Sequence, residues 1–353
     1  MHQNLCLIKP FWCLTNYFYD FLIYWLINNG LLDEILRVEG LSKQFVKKNV
    51  FGSTKSLVKA VEDVSFSLYN NEVLVIAGES GSGKTTIAKL ILRAITPDSG
   101  KVIFQGEEIK DDSKSLMKIR MHCQMVHQDP YDSINPRMKV KDIVSEPLEI
   151  HNIGHGLERE KIVLDSLREV KLEPSEEIAN KYPHMLSGGQ RQRVVLARAL
   201  VLRPKIIIAD EPVSMLDVSI RGEILELMKN IQKKNNISFI YITHDLATAR
   251  YFGQKIIILY LGKIMEFGSI DRVLLEPRHP YTQALIDAIS EPDPNNLYKK
   301  KIIRINDPLD IDFYSGCRFL ARCPYAIKKC SDVPPLETRD GRNVACFVDI
   351  GKV

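Results

Sequence analysis

Apolar and polar residues alternate over residues 35–45 (ILRVEGLSKQF) and again over 57–68, where KAVEDVSFSL places its apolar positions on one face. Alternation at period two predicts two strands, paired antiparallel as the entry into a sheet. Asn70-Asn71 signals a turn, and an unbroken apolar run over 73–77 follows as a buried strand. A helix is expected from Ile87 to the breaker Pro97-Asp98-Ser99-Gly100, with a returning strand over 101–104. From Met117 to about Asn180 the pattern turns helical with polar loops (NPRMKVKDIVSEPL, LEREKIVLDSLREVKL), which reads as a helical insertion. Two further apolar runs, 206–208 and 239–242, end on Asp210-Glu211 and on Thr243-His244-Asp245. Runs of this kind are strands buried on both faces, with acid presented at the C-terminal edge. Residues 255–260 and Gly262-Lys263 predict a late hairpin. Strands alternating with helices predict an α/β fold around a mixed, mostly parallel sheet with ligands at its strand ends.

The expected organisation is an apolar N-terminal extension (1–33), a main α/β unit (34–290) with its helical part over about 117–180, and a C-terminal tail (291–353) behind a linker rich in Pro, Asp and Asn. A length of 353 residues suits two globular units and an appendage. Composition changes this picture little: 45% apolar and 26% charged residues serve both a core and a solvated surface. The net charge of +4 gives no argument for a nucleic-acid partner. Residues 5–32 are aromatic-rich, but Lys9, Pro10, Asn16 and Asp20 interrupt them. They match neither a membrane-spanning helix nor a secretory signal. Two readings stay open, an interfacial helix against lipid or a membrane partner and an extension without a role.

Chemistry enters at Gly78-Glu79-Ser80-Gly81-Ser82-Gly83-Lys84-Thr85-Thr86, between the strand over 73–77 and the helix from Ile87. Glycines let consecutive backbone N–H groups face an anion, and the helix N-terminus points its positive end at the same place. In such a cradle Lys84 reaches the β- and γ-phosphates of a nucleotide and the Thr85 hydroxyl ligates Mg²⁺. Asp210, at the end of an apolar strand, suits the Mg²⁺ that bridges those phosphates, and Glu211 beside it suits the water that attacks the γ-phosphate. The bland readings are a turn that binds nothing and an acidic pair capping a strand end. Their joint presence in one chain disfavours both.

A second glycine-rich element, Leu186-Ser187-Gly188-Gly189-Gln190, precedes a helix and ends twenty residues before Asp210. This LSGGQ resembles the signature of the ABC transporter ATPases, a family of P-loop NTPases. The resemblance implies that each chain supplies half of two ATP sites, with Ser187, Gly188, Gly189 and Gln190 of one cassette closing over the nucleotide held by another. It further implies that Phe45 stacks on adenine, with Phe51 close by, and that Gln128 in HQDP touches Mg²⁺ and signals to the membrane partner. His244 matches the switch histidine at the γ-phosphate, and Asp217 in SMLD matches the loop crossing the dimer interface, where Met215 replaces the more frequent Ala. GESGSGKTT, QDPYDSINPRM, EPRHPYTQALIDAI and GCRFLARCPYAIKKC resemble the ATPase subunits of oligopeptide and dipeptide importers, from residue 35 onward. Implied partners are a second ABC ATPase subunit, two transmembrane permease subunits and an extracellular solute-binding protein, at the cytoplasmic side of the cell membrane. The alternatives are importers of sugars or nickel, and a soluble ABC ATPase of DNA repair or translation. The last is disfavoured by the separation of 103 positions from Lys84 to Ser187, too short for a long coiled coil, and by the lack of a second GxxGxGK.

Of seven cysteines, Cys6 and Cys13 stand at the front and Cys123 in the middle. Cys317, Cys323, Cys330 and Cys346 crowd the tail with spacing C-x5-C-x6-C-x15-C. In an ATP-rich compartment such a cluster reads as a metal site before it reads as disulfides. The spacing matches neither zinc ribbons nor the common ferredoxin runs. Zinc, an iron–sulfur cluster and free buried thiols stay open on the residues alone, and the family resemblance implies a [4Fe–4S] cluster. Arg318 and Arg322 are expected to offset the thiolate charge.

Overall fold

A computed structural model describes residues 33–48, 54–130, 133–288, 305 and 315–351. The stretch 5–32, Phe51 and the linker after Ser290 lie outside these residues. Strands β1 (Glu34–Lys48) and β2 (Thr54–Tyr69) pair antiparallel as expected. They do not enter the main sheet. With β4 (Ser99–Phe104) and β5 (Glu107–Glu108) they form a separate sheet in the order β2-β1-β4-β5.

Among the described residues the main sheet has eight strands. Its parallel part is β9 (Lys255–Tyr260), β3 (Val73–Ala77), β8 (Ser238–Thr243), β7 (Ile206–Asp210) and β6 (Cys123–Val126), in that order. β6 lies inside the stretch expected to be helical from Met117. It corrects that expectation, which missed a four-residue edge strand entered directly from a helix. Beyond β9 the sheet continues antiparallel through β10 (Lys263–Ser269), β12 (Arg342–Val344) and β11 (Glu337–Arg339). The cysteine-bearing tail is thereby hydrogen-bonded into the main sheet through β12 on β10.

The apolar runs read as buried strands because each feeds two cores. Val73, Val75, Ala77, Ile207, Ala209, Phe239 and Tyr241 face one cluster, while Leu74, Ile76, Ile206, Ile208, Ile240 and Ile242 face the other. The period of two sends successive residues to opposite faces, so a strand covered on both sides must be apolar throughout. The second cluster also holds the small antiparallel sheet and α1 (Lys84–Ile91). After α2 (Ser113–His122), the first cluster takes in the helical segments α3 (Val140–Ile150), α4 (Leu157–Glu169), α5 (Ser175–Ala179) and α6 (Gly188–Leu200). It also takes in α7 (Val218–Asn235), α8 (Leu246–Phe252), α9 (Ile270–Leu275) and α10 (Pro280–Ala288), together with Cys317, Cys323 and Cys330. Among the described residues no helix is long and apolar enough to cross a membrane.

Candidate functional site

The C-terminal ends of β3, β7 and β8 lie side by side, and the predicted chemistry converges there. β3 runs straight into residues 78–83 and then α1. Gly78 and Gly83 are required by close approach: a Cβ at Gly78 would stand 2.1 Å from the Leu259 carbonyl oxygen, and at Gly83 2.2 Å from that of Ala60. Gly83 also sits at φ 107°, in the left-handed region that L side chains avoid. No side chain caps α1 and its first turn carries no acid, so its N-terminal N–H groups face the loop interior. Ser82 is buried with its hydroxyl unpartnered, well suited to donate to a phosphate oxygen.

Lys84 is 6% exposed and donates to the Gly78 and Glu79 carbonyl oxygens at 2.9 Å each. Burial pushes its pKa down, against the pull of Glu211, Asp210 and Glu79. Thr85 Oγ1 donates to Asp210 Oδ2 at 2.7 Å. Burial raises the pKa of Asp210, opposed by that hydrogen bond. A hydroxyl and a carboxylate at this separation are the two protein oxygens with which a Mg²⁺ ion can be held beside a triphosphate.

Glu211 follows Asp210 at φ 48°, its N–H bonded to Ile242 O at 2.9 Å. Its Oε2 accepts from Gln128 Nε2 at 2.9 Å and pairs with His244 Nδ1 at 3.0 Å. Three residues from the ends of β6, β7 and β8 thus meet on one oxygen. Sequence reading selected all three but passed over His127, whose pKa burial lowers while Asp210 acts to raise it. The overlooked strand β6 is what delivers His127 and Gln128 to this edge.

Ser187 accepts from Gln190 N at 3.2 Å and donates its own N–H to Gln190 Oε1 at 3.0 Å, a reciprocal capping box at the start of α6. LSGGQ is therefore a rigid, outward-facing helix start whose polar groups bond to each other. Asp217 caps α7 without a side-chain hydrogen bond, and Met215 and Val218 beside it are exposed. Phe45 is an exposed aromatic on β1, 44% accessible, with Lys43 Nζ 5.9 Å from its ring centre.

The model of the ABC transporter family matches residues 61–214, and that of the oligopeptide/dipeptide transporter C-terminal region matches residues 265–330. A probable peptide ABC transporter ATP-binding protein of Sinorhizobium fredii is 42% identical over 320 residues, covering 90% of each chain. This chain belongs to the ATP-binding subunits of ABC transporters. The di/tripeptide transport ATP-binding protein DppF of Pseudomonas aeruginosa is 39% identical and covers 89% of this chain and 98% of its own. Among solved structures, cbiO1 of Clostridium perfringens aligns with TM-score 0.60 at 29% identity, over 69% of this chain and 92% of its own. The cassette MJ0796, as a dimer bound to ADP and Pi, aligns with TM-score 0.58 at 31% identity, over 67% and 99%. As a member of this family the ABC subunit is an ATPase, and its residues suit ATP and Mg²⁺.

In the tail of the ABC subunit, Cys317, Cys323, Cys330 and Cys346 form no disulfide, are buried, and line one cavity of about 10 Å³ with His279, Phe319 and Tyr325. Burial pushes the thiol of Cys317 up to about 11 and that of Cys323 up to about 12, and raises Cys346. Among the described residues no three His, Cys, Asp or Glu side chains stand where they hold a metal ion. The arginines expected to balance the thiolates turn elsewhere. Arg318 pairs with Glu62, and Arg322 Nη1 lies 3.1 Å from both carboxylate oxygens of Glu79.

Proposed function

We propose that this chain powers uptake of di- and oligopeptides across the cell membrane from its cytoplasmic face. The match of residues 265–330 to the oligopeptide/dipeptide transporter region, beside relatives named for peptide transport, carries the reading. The cassette over 34–290 binds Mg·ATP through residues 78–86, with Phe45 against the adenine and Lys84 at the phosphates. Thr85, Asp210 and Gln128 serve Mg²⁺, Glu211 orients the attacking water, and His244 reads the γ-phosphate. Ser187 to Gln190 and Asp217 act across the interface on the nucleotide of a second ATPase subunit. The outward-facing capping box of LSGGQ supports this division of labour. ATP then holds two cassettes together, its hydrolysis lets them part, and two permease subunits convert that motion into alternating access for a solute handed over by an extracellular binding protein. To test it, the tagged full-length chain is purified from its own membranes with whatever accompanies it. Permease subunits whose reconstituted complex takes up short peptides support the reading; uptake of sugars or nickel alone, or recovery with DNA or ribosomes, overturns it.

The same reading assigns Cys317, Cys323, Cys330 and Cys346, within a tail over 291–353, to a metal group, [4Fe–4S] by the family resemblance. Four thiols outside any disulfide and around one cavity are the kind of donor that iron–sulfur or zinc takes. One zinc ion is the second reading, and the cavity, at about 10 Å³, has the size of a single water.

A further inference from the structure

Glu79 is the one carboxylate within the phosphate loop, and nothing in the chemistry of nucleotide binding calls for it. A loop that turns its N–H groups toward an anion also attracts its own carboxylate, and the negative charge of Glu79 acts on Lys84. The fold answers from the tail. Arg322 Nη1 stands 3.1 Å from Glu79 Oε1 and 3.1 Å from Oε2, and 3.4 Å from the Tyr260 hydroxyl. On the main-chain side, Glu79 N donates to the Tyr281 hydroxyl at 3.0 Å.

Both anchors rest on one aromatic block. The rings of Tyr260 and Tyr281 lie 4.4 Å apart, and Phe319 lies 5.6 Å and 5.4 Å from them. The Arg322 guanidinium sits 5.8 Å from the Phe319 ring centre, a stacking arrangement that limits its freedom. Tyr281 is in turn fixed by its N–H, which donates to Nδ1 of the buried His279 at 3.0 Å.

We propose that Arg322 and Tyr281 are positioning residues of the nucleotide site: they hold the side chain and the main chain of Glu79 away from the anion seat, so the C-terminal tail sets part of the affinity for nucleotide phosphates. The inference rests on nucleotide binding at residues 78–86, and the experiment separates the two. Arg322 has a specific charge to balance. Without it, the Glu79 carboxylate is left to compete with phosphate for Lys84 and the loop N–H groups.

Mg·ATP binding to the full-length chain is measured by calorimetry for the wild type, Arg322→Ala, Arg322→Ala with Glu79→Gln, and Tyr281→Phe, with thermal unfolding of each recorded alongside. Arg322→Ala is expected to weaken binding about 5- to 10-fold, the scale of one lost charge compensation. Adding Glu79→Gln restores affinity to within about twofold, because no charge is left to compensate. Tyr281→Phe, which loses only the acceptor for Glu79 N–H, weakens binding about 3-fold. Wild-type affinity in Arg322→Ala, or a double variant as weak as the single one, overturns the proposal. Should Arg322→Ala unfold, Arg322→Gln takes its place under the same two outcomes. A wild-type chain that binds no Mg·ATP would instead defeat the nucleotide reading itself.

Discussion

Glu211 Oε2 is shared by Gln128 Nε2 at 2.9 Å and His244 Nδ1 at 3.0 Å, so one carboxylate oxygen ties together the ends of three adjacent parallel strands. Two partners on one oxygen fix the orientation of the carboxylate, which is what a group that orients or deprotonates water requires.

Glu211→Gln keeps one oxygen to accept these bonds and loses the carboxylate proposed as the base. Mg·ATP binding is expected to persist while turnover falls by about 100-fold or more, the usual contribution of a positioned base. Single-turnover hydrolysis measures this. Near-normal turnover in the variant would mean that another group positions the water.

Asp210→Asn separates fold from function at one position. Burial raises the Asp210 pKa, so its ionised form is disfavoured by folding. The amide removes that cost together with the oxygen proposed to hold Mg²⁺. The metal-free variant should melt higher than the wild type and lose Mg²⁺-dependent turnover. A lower melting temperature would contradict the assignment of Asp210 as a residue kept for the metal at the expense of stability.

The tail is pinned by a buried charge. Glu266 is fully buried; it accepts from Arg278 N and His279 N, and Arg342, itself 2% exposed at the side chain, stands 3.7 Å away. Arg342 also donates to the carbonyl oxygens of Arg272 and Glu276. Arg342→Ala leaves the carboxylate uncompensated and should cost about 3 kcal/mol. Chemical denaturation checks it, and a change within about 0.5 kcal/mol, the range of an ordinary surface substitution, would count against the role.

The strands that carry the site were legible because each had to be apolar on both faces. Val73–Ala77 and Ile206–Asp210 announce themselves without any partner in view. β6 did not: Cys123–Val126 has only its end residues buried and follows a helix without a break, so its four residues carry no period to read. LSGGQ, the phosphate loop and Glu211 were legible as local motifs with local chemistry. The Arg322–Glu79 pair was not, since 243 residues separate its members and periodicity says nothing about contacts at that range. The arginines between the cysteines invited a local reading, charge balance for thiolates, and the fold spends them on the cassette instead.

The cysteines give a pH test. Burial raises the folded-state pKa of Cys317 to about 11 and of Cys323 to about 12, above the ordinary thiol value of 9.0. Protonated thiols are therefore favoured by folding. In metal-free protein this stabilisation is complete below pH 9 and is lost as pH rises through about 11 and 12. Alkylation of the native metal-free tail should be slow at pH 7.5 and accelerate with pH, and metal loading, which needs thiolates, should release protons. Anaerobic purification reads the group: iron and sulfide in equal amounts mean a cluster, one zinc per chain means the ion. A metal-free tail that folds normally and never loads contradicts both.

The proposed function has ATP turned over at Lys84 and Glu211 move peptide through a membrane partner. Proteoliposomes holding the complex purified with this chain, given the solute-binding protein, labelled short peptide and Mg·ATP on the cassette side, test it directly. Peptide should cross in proportion to ATP hydrolysed, and both should cease in complexes carrying Glu211→Gln. Transport that continues in that variant, or hydrolysis that proceeds with no peptide crossing, would contradict the account.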